Sequence, residues 1–415
     1  MFNNASNIDA SRSNFTENHS DQFNYLYGGV IHGNQSNYTN IYGNQILQNP
    51  SETFEPLRKA SISTAAFDSA ARYPPPICLA GTRMEILNRI SSWIEAEGTQ
   101  PICWLNGPAG SGKSAIAQRV AETYAEKNRL AASFFFSRRE MQRSTTQHFF
   151  PTLSLQILKK FPSTRQSIAA ALDEDDTVPT KFLREQMKKL VLEPLCAMTE
   201  RPAFPVFIVI DSLDECDNEH LVIELITLLA QLIRESPQPF RLLFASRSES
   251  HIQKAFREPS ILSMTLFLEL VTFDAKEDIR LFMVRAFDGI YKNRHMLMDG
   301  VQHPWPPADE LERLLQKASG LFIFAATVTK FVDSKHEDPR DRLQIILNDA
   351  PSTSGDTTFA DIDTLYQDAI RISNNDDLTR RVLGVVRHVS NPLSIRALNI
   401  ILSRYISTSP AFFRI

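Results

Sequence analysis

Pro101-Ile102-Cys103-Trp104-Leu105-Asn106-Gly107-Pro108-Ala109-Gly110-Ser111-Gly112-Lys113-Ser114 is the stretch from which the rest of the chain can be read. Its first half is a short apolar run of strand length, and its second half fits G-x-x-x-x-G-K-S. A strand, that pattern and then a helix together predict a P-loop. The glycines let successive backbone N–H groups turn inward and form a nest for phosphate oxygens. A helix beginning at Lys113 adds the positive end of its dipole. Lys113 supplies a point charge for the β- and γ-phosphates, and the Ser114 hydroxyl is a ligand for Mg²⁺. Gly107, Pro108, Ala109, Gly110, Ser111, Gly112, Lys113 and Ser114 are therefore the expected nucleotide-binding residues.

Outward from the loop, helix and strand patterns alternate. Residues 113–128 read as a helix, with Ile116, Val120 and Tyr124 recurring every four residues on an inner face. A strand is expected over 131–136, then a helix carrying Leu153, Ile157 and Phe161. Further strands follow at 206–210, 241–245 and 264–268, with a helix carrying Leu221, Leu225, Leu228 and Leu232 after the first of them. This order implies an α/β fold: a P-loop NTPase core over 101–272 with a doubly wound, mostly parallel sheet. Upstream, 56–100 reads as a linker and helical lead-in, with Pro74-Pro75-Pro76 favouring an extended connector. Met84, Ile86, Leu87, Ile90 and Trp93 fall on one side of the helix that follows. From Asp274 the pattern is helical, so a helical domain is expected over 273–355, opened by an Asp274/Glu277 cap. Residues 321–332 read as a buried helix, well short of the ~20 apolar residues that span a membrane.

The second chemical signal is Phe207-Ile208-Val209-Ile210-Asp211-Ser212-Leu213-Asp214-Glu215. A buried strand that delivers a carboxylate at its C-terminal end suits a Walker B element. Asp211 is the expected second Mg²⁺ residue beside Ser114, while Glu215, with Asp214 next to it, is placed to polarise an attacking water. The third signal is the strand that ends in Ser246-Arg247. It aims Arg247 at the face that carries Asp211, where a guanidinium could sense a γ-phosphate; read alone, it is equally a surface arginine. Glu215, Asp214 and Arg247 are the catalytic candidates. Arg83 and the segment 77–79 are candidates for reading the base.

The net charge is −4, with 43% hydrophobic and 22% charged residues, so nothing in the composition points to nucleic acid or an anionic membrane. Cys78, Cys103, Cys196 and Cys216 form no C-x-x-C pair and no zinc spacing, and they fit a reducing, cytoplasmic setting. Residues 1–55 are an Asn-rich, low-complexity tail, with 11 Asn among the first fifty residues. Within it Ile31-His32-Gly33-Asn34-Gln35 recurs as Ile41-Tyr42-Gly43-Asn44-Gln45. Such a segment reads either as a disordered tail or as a self-associating one, since Asn/Gln ladders and stacked aromatics favour cross-β assembly.

With these elements in order, the chain resembles the NACHT class of STAND nucleotide-dependent signalling NTPases, especially the NLR-like NACHT proteins of fungi. The likeness is carried by the P-loop, by Ser133-Phe134-Phe135-Phe136-Ser137-Arg138, by Asp211-Ser212-Leu213-Asp214-Glu215-Cys216, by Ser246-Arg247-Ser248-Glu249-Ser250-His251-Ile252 and by Gly320-Leu321-Phe322-Ile323-Phe324-Ala325. The resemblance implies a helical domain, then a winged-helix segment, here a truncated one over 356–415, and it implies C-terminal sensor repeats that the sequence up to Ile415 does not contain. It also implies a switch that binds ATP or ADP with Mg²⁺, hydrolyses slowly and self-oligomerises on activation to engage a signalling partner. GTP remains open as the nucleotide. Two other functions compete: a non-catalytic scaffold assembled through the tail, and a P-loop enzyme such as a kinase. A regulatory G protein would need an N-K-x-D guanine reader, which the sequence lacks.

Overall fold

The computed structural model describes residues 50–348, except 97, 99, 200, 335 and 336, together with Val382. The expectations for the tail repeat and for a winged helix over 356–415 therefore lie outside the described residues. The chain enters through a helical turn, Pro50–Thr53, and helix α1 (Glu55–Ala60). Phe54 and Leu57 are buried in the same apolar cluster as the central strands, so the expected tail boundary at residue 55 falls inside packed structure. The following segment is a strap rather than a free linker. Ser61 Oγ donates to the carbonyls of Leu57 and Pro151, Ile62 N–H to Thr152 Oγ1, and Phe67 N–H to Ser133 Oγ.

Helix α2 (Met84–Glu95) buries Ile86, Ile90, Trp93 and Ile94. Met84, expected on that face, is half exposed, because the buried stripe starts two residues later, at Ile86, and extends to Ile94. Five strands follow: β1 (Ile102–Asn106), β2 (Leu130–Phe135), β3 (Val206–Asp211), β4 (Phe240–Ser246) and β5 (Thr265–Glu269). All pairings are parallel, in the order β2-β3-β4-β1-β5. Strands buried on both faces show no polar alternation, which is why each reads as a plain apolar run. The alternation is instead between two cores. Ile102, Trp104, Ile208, Ile210, Leu242 and Phe244 join one cluster, while Cys103, Leu105, Phe207, Val209, Leu243 and Ala245 join the other.

On the second face lies α3 (Lys113–Glu126), whose Ile116, Val120 and Tyr124 are buried as their spacing predicts. The first face is covered by α4 (Phe149–Lys160) and α5 (Glu219–Glu235). Doubly wound parallel sheets hold ligands at the C-terminal ends of their strands, and the P-loop leaves β1 there. Beyond β5 come four helices, α6 (Lys276–Asn293), α7 (Ala308–Ala318), α8 (Phe322–Val332) and α9 (Pro339–Asn348), around a core of their own. The expected capping box at α6 is half made. Asp274 Oδ1 accepts the Lys276 N–H at 2.8 Å, but Glu277 pairs with Arg280 one turn on and does not reach back. No helix among the described residues is long and apolar enough to cross a membrane.

Candidate functional site

The loop 107–112 leaves β1 and ends at Gly112, which caps α3 with φ +94°; Gly110 has φ +71°. Both angles lie in the left-handed region, where a β-carbon is strained, so these positions need glycine. Lys113 is buried and donates through Nζ to the carbonyls of Gly107 (2.9 Å) and Pro108 (2.8 Å). Two of its three N–H bonds thus hold the loop open and one remains for phosphate. Burial lowers the Lys113 pKa, while the carboxylates of Asp214 and Asp211 raise it. Pro108 O also accepts from Ser111 Oγ, so the loop is braced from within. Ala109 stands half buried beside Gly110 and makes no side-chain hydrogen bond.

β3 brings Asp211 to the same end of the sheet. Its Oδ2 accepts from Ser212 Oγ at 2.9 Å, and Ser212 Oγ lies 3.4 Å from Ser114 Oγ. Asp211 Oδ1 is buried with no hydrogen-bond partner among the described residues. Burial pushes the Asp211 pKa up to about 6, against the hydroxyls of Ser114 and Ser212 and the cations Arg72 and Lys113, which lower it. A buried carboxylate with one oxygen unpartnered, next to a serine hydroxyl and a lysine, fits an Mg²⁺ site. Such a cation takes few protein oxygens and fills its shell from phosphates and water. Ser114 and Asp211 would hold it. No cluster of three acidic, His or Cys ligands occurs among the described residues. Ser212, with φ +57°, was not singled out in the sequence; a serine after a Walker B carboxylate gives no local sign of its left-handed turn.

The remaining candidates separate. Asp214 is buried and belongs to Arg247: its Oδ1 accepts the Arg247 N–H at 2.9 Å, and its Oδ2 lies 3.2 Å from Nε. Arg247 is set in turn by Ser246, whose buried hydroxyl accepts from Trp104 Nε1 (2.8 Å) and donates to Arg247 O (2.9 Å). Glu215 is only half buried, and its Oε2 accepts the Arg138 N–H at 3.1 Å. Arg138 also donates through Nη2 to the Asp214 carbonyl, so the end of β2 fixes the acidic turn after β3. Of the two neighbouring carboxylates, Asp214 is the anchor of the arginine and Glu215 is the one left near solvent.

Arg83 also lies at the loop. Its left-handed backbone (φ +56°) places the N–H on Asp278 Oδ2 of α6 and Nη2 on Ser111 O (2.8 Å), and its guanidinium sits 4.8 Å over the Phe322 ring. Nε and Nη1 are buried without partners among the described residues. Burial lowers its pKa, with Asp278 opposing. The helical region touches the loop directly as well. Ile323 N–H donates to Gly110 O at 3.1 Å, and a β-carbon at Gly110 would meet Ile323 Cγ2 at 2.2 Å and Cβ at 2.6 Å.

Residues 81–247 match the family model described as Nephrocystin 3, N-terminal, a span that takes in the P-loop, Arg83, Asp211, Asp214, Glu215 and Arg247 but not the segment 77–79. No curated protein matches the chain significantly. Among solved structures, a point mutant of Thermotoga maritima RuvB is 18% identical, covering 77% of this chain and 82% of that one, with a TM-score of 0.33. C. elegans PCH-2 is 13% identical over 63% of this chain and 66% of that one, with a TM-score of 0.34. Drosophila ORC bound to GC-rich DNA and Cdc6 is 11% identical over 86% of this chain and 54% of that one, with a TM-score of 0.29. The P-loop beside Asp211 at one end of a five-stranded parallel sheet is the arrangement of a P-loop NTPase core, and over residues 81–247 the chain is similar to the Nephrocystin 3 N-terminal family.

Proposed function

We propose that this chain is a nucleotide-dependent signalling switch: it holds ADP or ATP with Mg²⁺, hydrolyses ATP slowly, and self-oligomerises when ATP replaces ADP. The observation that carries this reading is the contact between the phosphate-binding loop and the helical region. Ile323 N–H binds Gly110 O, and Arg83 joins Ser111 O, the Phe322 ring and, through its backbone, Asp278. A ligand shifts a conformational equilibrium only by its differential affinity for the two states. A loop whose carbonyls are already bound by a second region provides that difference, because any change in the loop changes the docking of α8.

The residues divide the work as follows. The backbone N–H groups of 110–114 and the helix start at Lys113 cradle phosphate, and Lys113 adds charge from a site where burial strengthens it. Mg²⁺, held by Ser114 and Asp211, neutralises phosphate charge when bound. Glu215 orients water at the open edge, and Arg247, anchored by Asp214, faces the same end of the sheet. We place the protein in the cytoplasm, where thiols such as Cys103 and Cys216 stay reduced, with further copies of itself and a signalling protein as partners.

The test is identification of the nucleotide that copurifies with the full chain, together with light scattering before and after exchange into ATP. Bound ADP and an ATP-driven rise in mass are expected, both lost in Lys113→Ala. A wild-type protein that binds neither nucleotide, or a Lys113→Ala variant that binds equally well, would sink the proposal.

A further inference from the structure

Beside Asp211, on the side away from β1, the end of β2 opens into a cavity of about 330 Å³ lined by Ala71, Arg72, Ser137, Arg139, Glu140 and Arg143. Three guanidinium groups face it with one carboxylate. Arg72 arrives on the upstream strap and lies flat on the Phe135 ring, 3.5 Å from its centroid. Phe135 is in register with Asp211 on the adjoining strand. Arg143 is buried and fixed: Nε donates to Phe135 O (2.9 Å) and Nη1 to Glu140 Oε1 (2.8 Å). Its Nη2 has no partner among the described residues. The Arg139 side chain has none either, and Arg72 donates through Nη1 to Phe67 O at 3.4 Å.

Burial pushes the Arg72 pKa down to about 10, with Arg143 adding repulsion and Asp211, Glu122 and Glu140 opposing. Arginines brought together at a partly buried wall repel one another and lose hydration, and a protein retains such an arrangement where an anion completes it. Planar guanidinium forks match tetrahedral oxyanions bidentately.

We propose that this cavity is a second oxyanion site, which takes inorganic phosphate next to the P-loop but separately from it. The cavity borders the nucleotide site at Asp211, on which Arg72 acts, so the two readings are told apart by the Lys113→Ala background and by the effect on ATP affinity. Arg72 gives the upstream strap a part in the site that a mere linker would not have.

The experiment is a phosphate titration of the full chain carrying Lys113→Ala, followed by calorimetry, so that the P-loop lysine contributes nothing. Saturable phosphate binding is expected, and adding Arg139→Ala or Arg72→Ala should weaken it about tenfold or more. Arg139 is exposed and supports no packing, so its substitution tests the site even if Arg72→Ala disturbs the fold. With Lys113 intact, Arg139→Ala should leave ATP affinity within about twofold, since the lost charge-assisted bonds lie off the P-loop. Absence of phosphate binding in Lys113→Ala, or binding unchanged by both arginine substitutions, overturns the proposal. So does a parallel tenfold loss of ATP affinity, which would make the cavity part of the nucleotide site. Failure of the wild type to bind ATP would instead strike the switch reading and leave the phosphate titration to be judged by itself.

Discussion

Gly110→Ala asks whether α8 rests on the phosphate loop as closely as the geometry states. Two costs add. The backbone at φ +71° places an L-residue in the left-handed region, at about 1–2 kcal/mol. The new β-carbon would also stand 2.2 Å from Ile323 Cγ2 and 2.6 Å from Ile323 Cβ. Rotation about χ1 can move Cγ2 but not Cβ, so α8 itself must shift, and overpacking of this kind costs about 1–3 kcal/mol. The sum is about 2–5 kcal/mol against unfolding.

The two costs separate by pairing the substitution with changes at Ile323. Ile323→Ala removes the 2.2 Å contact but keeps the 2.6 Å one, whereas Ile323→Gly removes both. Denaturant unfolding of the single and double variants should therefore give a graded coupling energy: small with Ile323→Ala, about 1–3 kcal/mol with Ile323→Gly. The positive-φ cost should persist in every background. If Gly110→Ala costs the same with Ile, Ala or Gly at 323, the loop and α8 do not touch, and the physical basis of the switch proposal goes with that contact.

Two further predictions concern the buried charges. Asp211, with its pKa raised to about 6 from an ordinary 3.8, favours the fold fully only below about pH 3.8 and loses that stability as pH rises through 6. The raised value corresponds to about 3 kcal/mol, so Asp211→Asn should raise the unfolding midpoint of nucleotide-free protein at pH 8, have little effect near pH 4, and abolish the gain from Mg-nucleotide. Equal midpoints for the two proteins at pH 8 would refute it. Arg83→Met exchanges a buried guanidinium with two unpartnered nitrogens for an apolar chain of similar length; stability should change by less than about 1.5 kcal/mol while nucleotide affinity falls. A large loss of stability with affinity retained would make Arg83 a structural residue only.

Most of the sheet was legible because its strands are short runs dominated by apolar residues. In β1 both Ile102/Trp104 and Cys103/Leu105 are buried, one pair on each face, so no periodicity had to be resolved. The loop was legible because its chemistry is local: eight consecutive residues hold their own phosphate nest. What escaped was set by distant partners. Arg72 reaches Asp211 from 139 positions upstream, and nothing in Ala70-Ala71-Arg72 announces it. Phe54 and Leu57 looked like the end of a polar tail because two apolar residues in a polar context carry no period of their own, and only packing against α4 and the helical segments at 165–180 makes them core. The Asp274/Glu277 cap was half right because Glu277 has a better-placed arginine three residues on.

In the acidic turn after β3 the sequence offers Glu215, with Asp214 beside it, to polarise water, and the structure gives the two carboxylates different surroundings. Asp214 keeps two bonds to Arg247 that differ in kind. The backbone N–H bond at 2.9 Å is partly buried, while the Nε contact at 3.2 Å belongs to a side chain that is 47% exposed. Solvent screens that half-exposed contact, so its net worth is that of a surface pair, about 0–1 kcal/mol. The guanidinium can therefore leave Asp214 at little cost. Its departure does not strand a buried charge, because the backbone N–H still bonds Asp214, and the Lys113 ammonium, whose pKa the Asp214 carboxylate raises, remains nearby. A γ-phosphate needs to offer Arg247 only slightly more than Asp214 does in order to draw it across, whereas Asp214 itself has no reason to move. The arrangement thus makes Arg247 the mobile half of the pair and Asp214 the fixed half. Trp104 and Ser246 hold the backbone about which the side chain would swing.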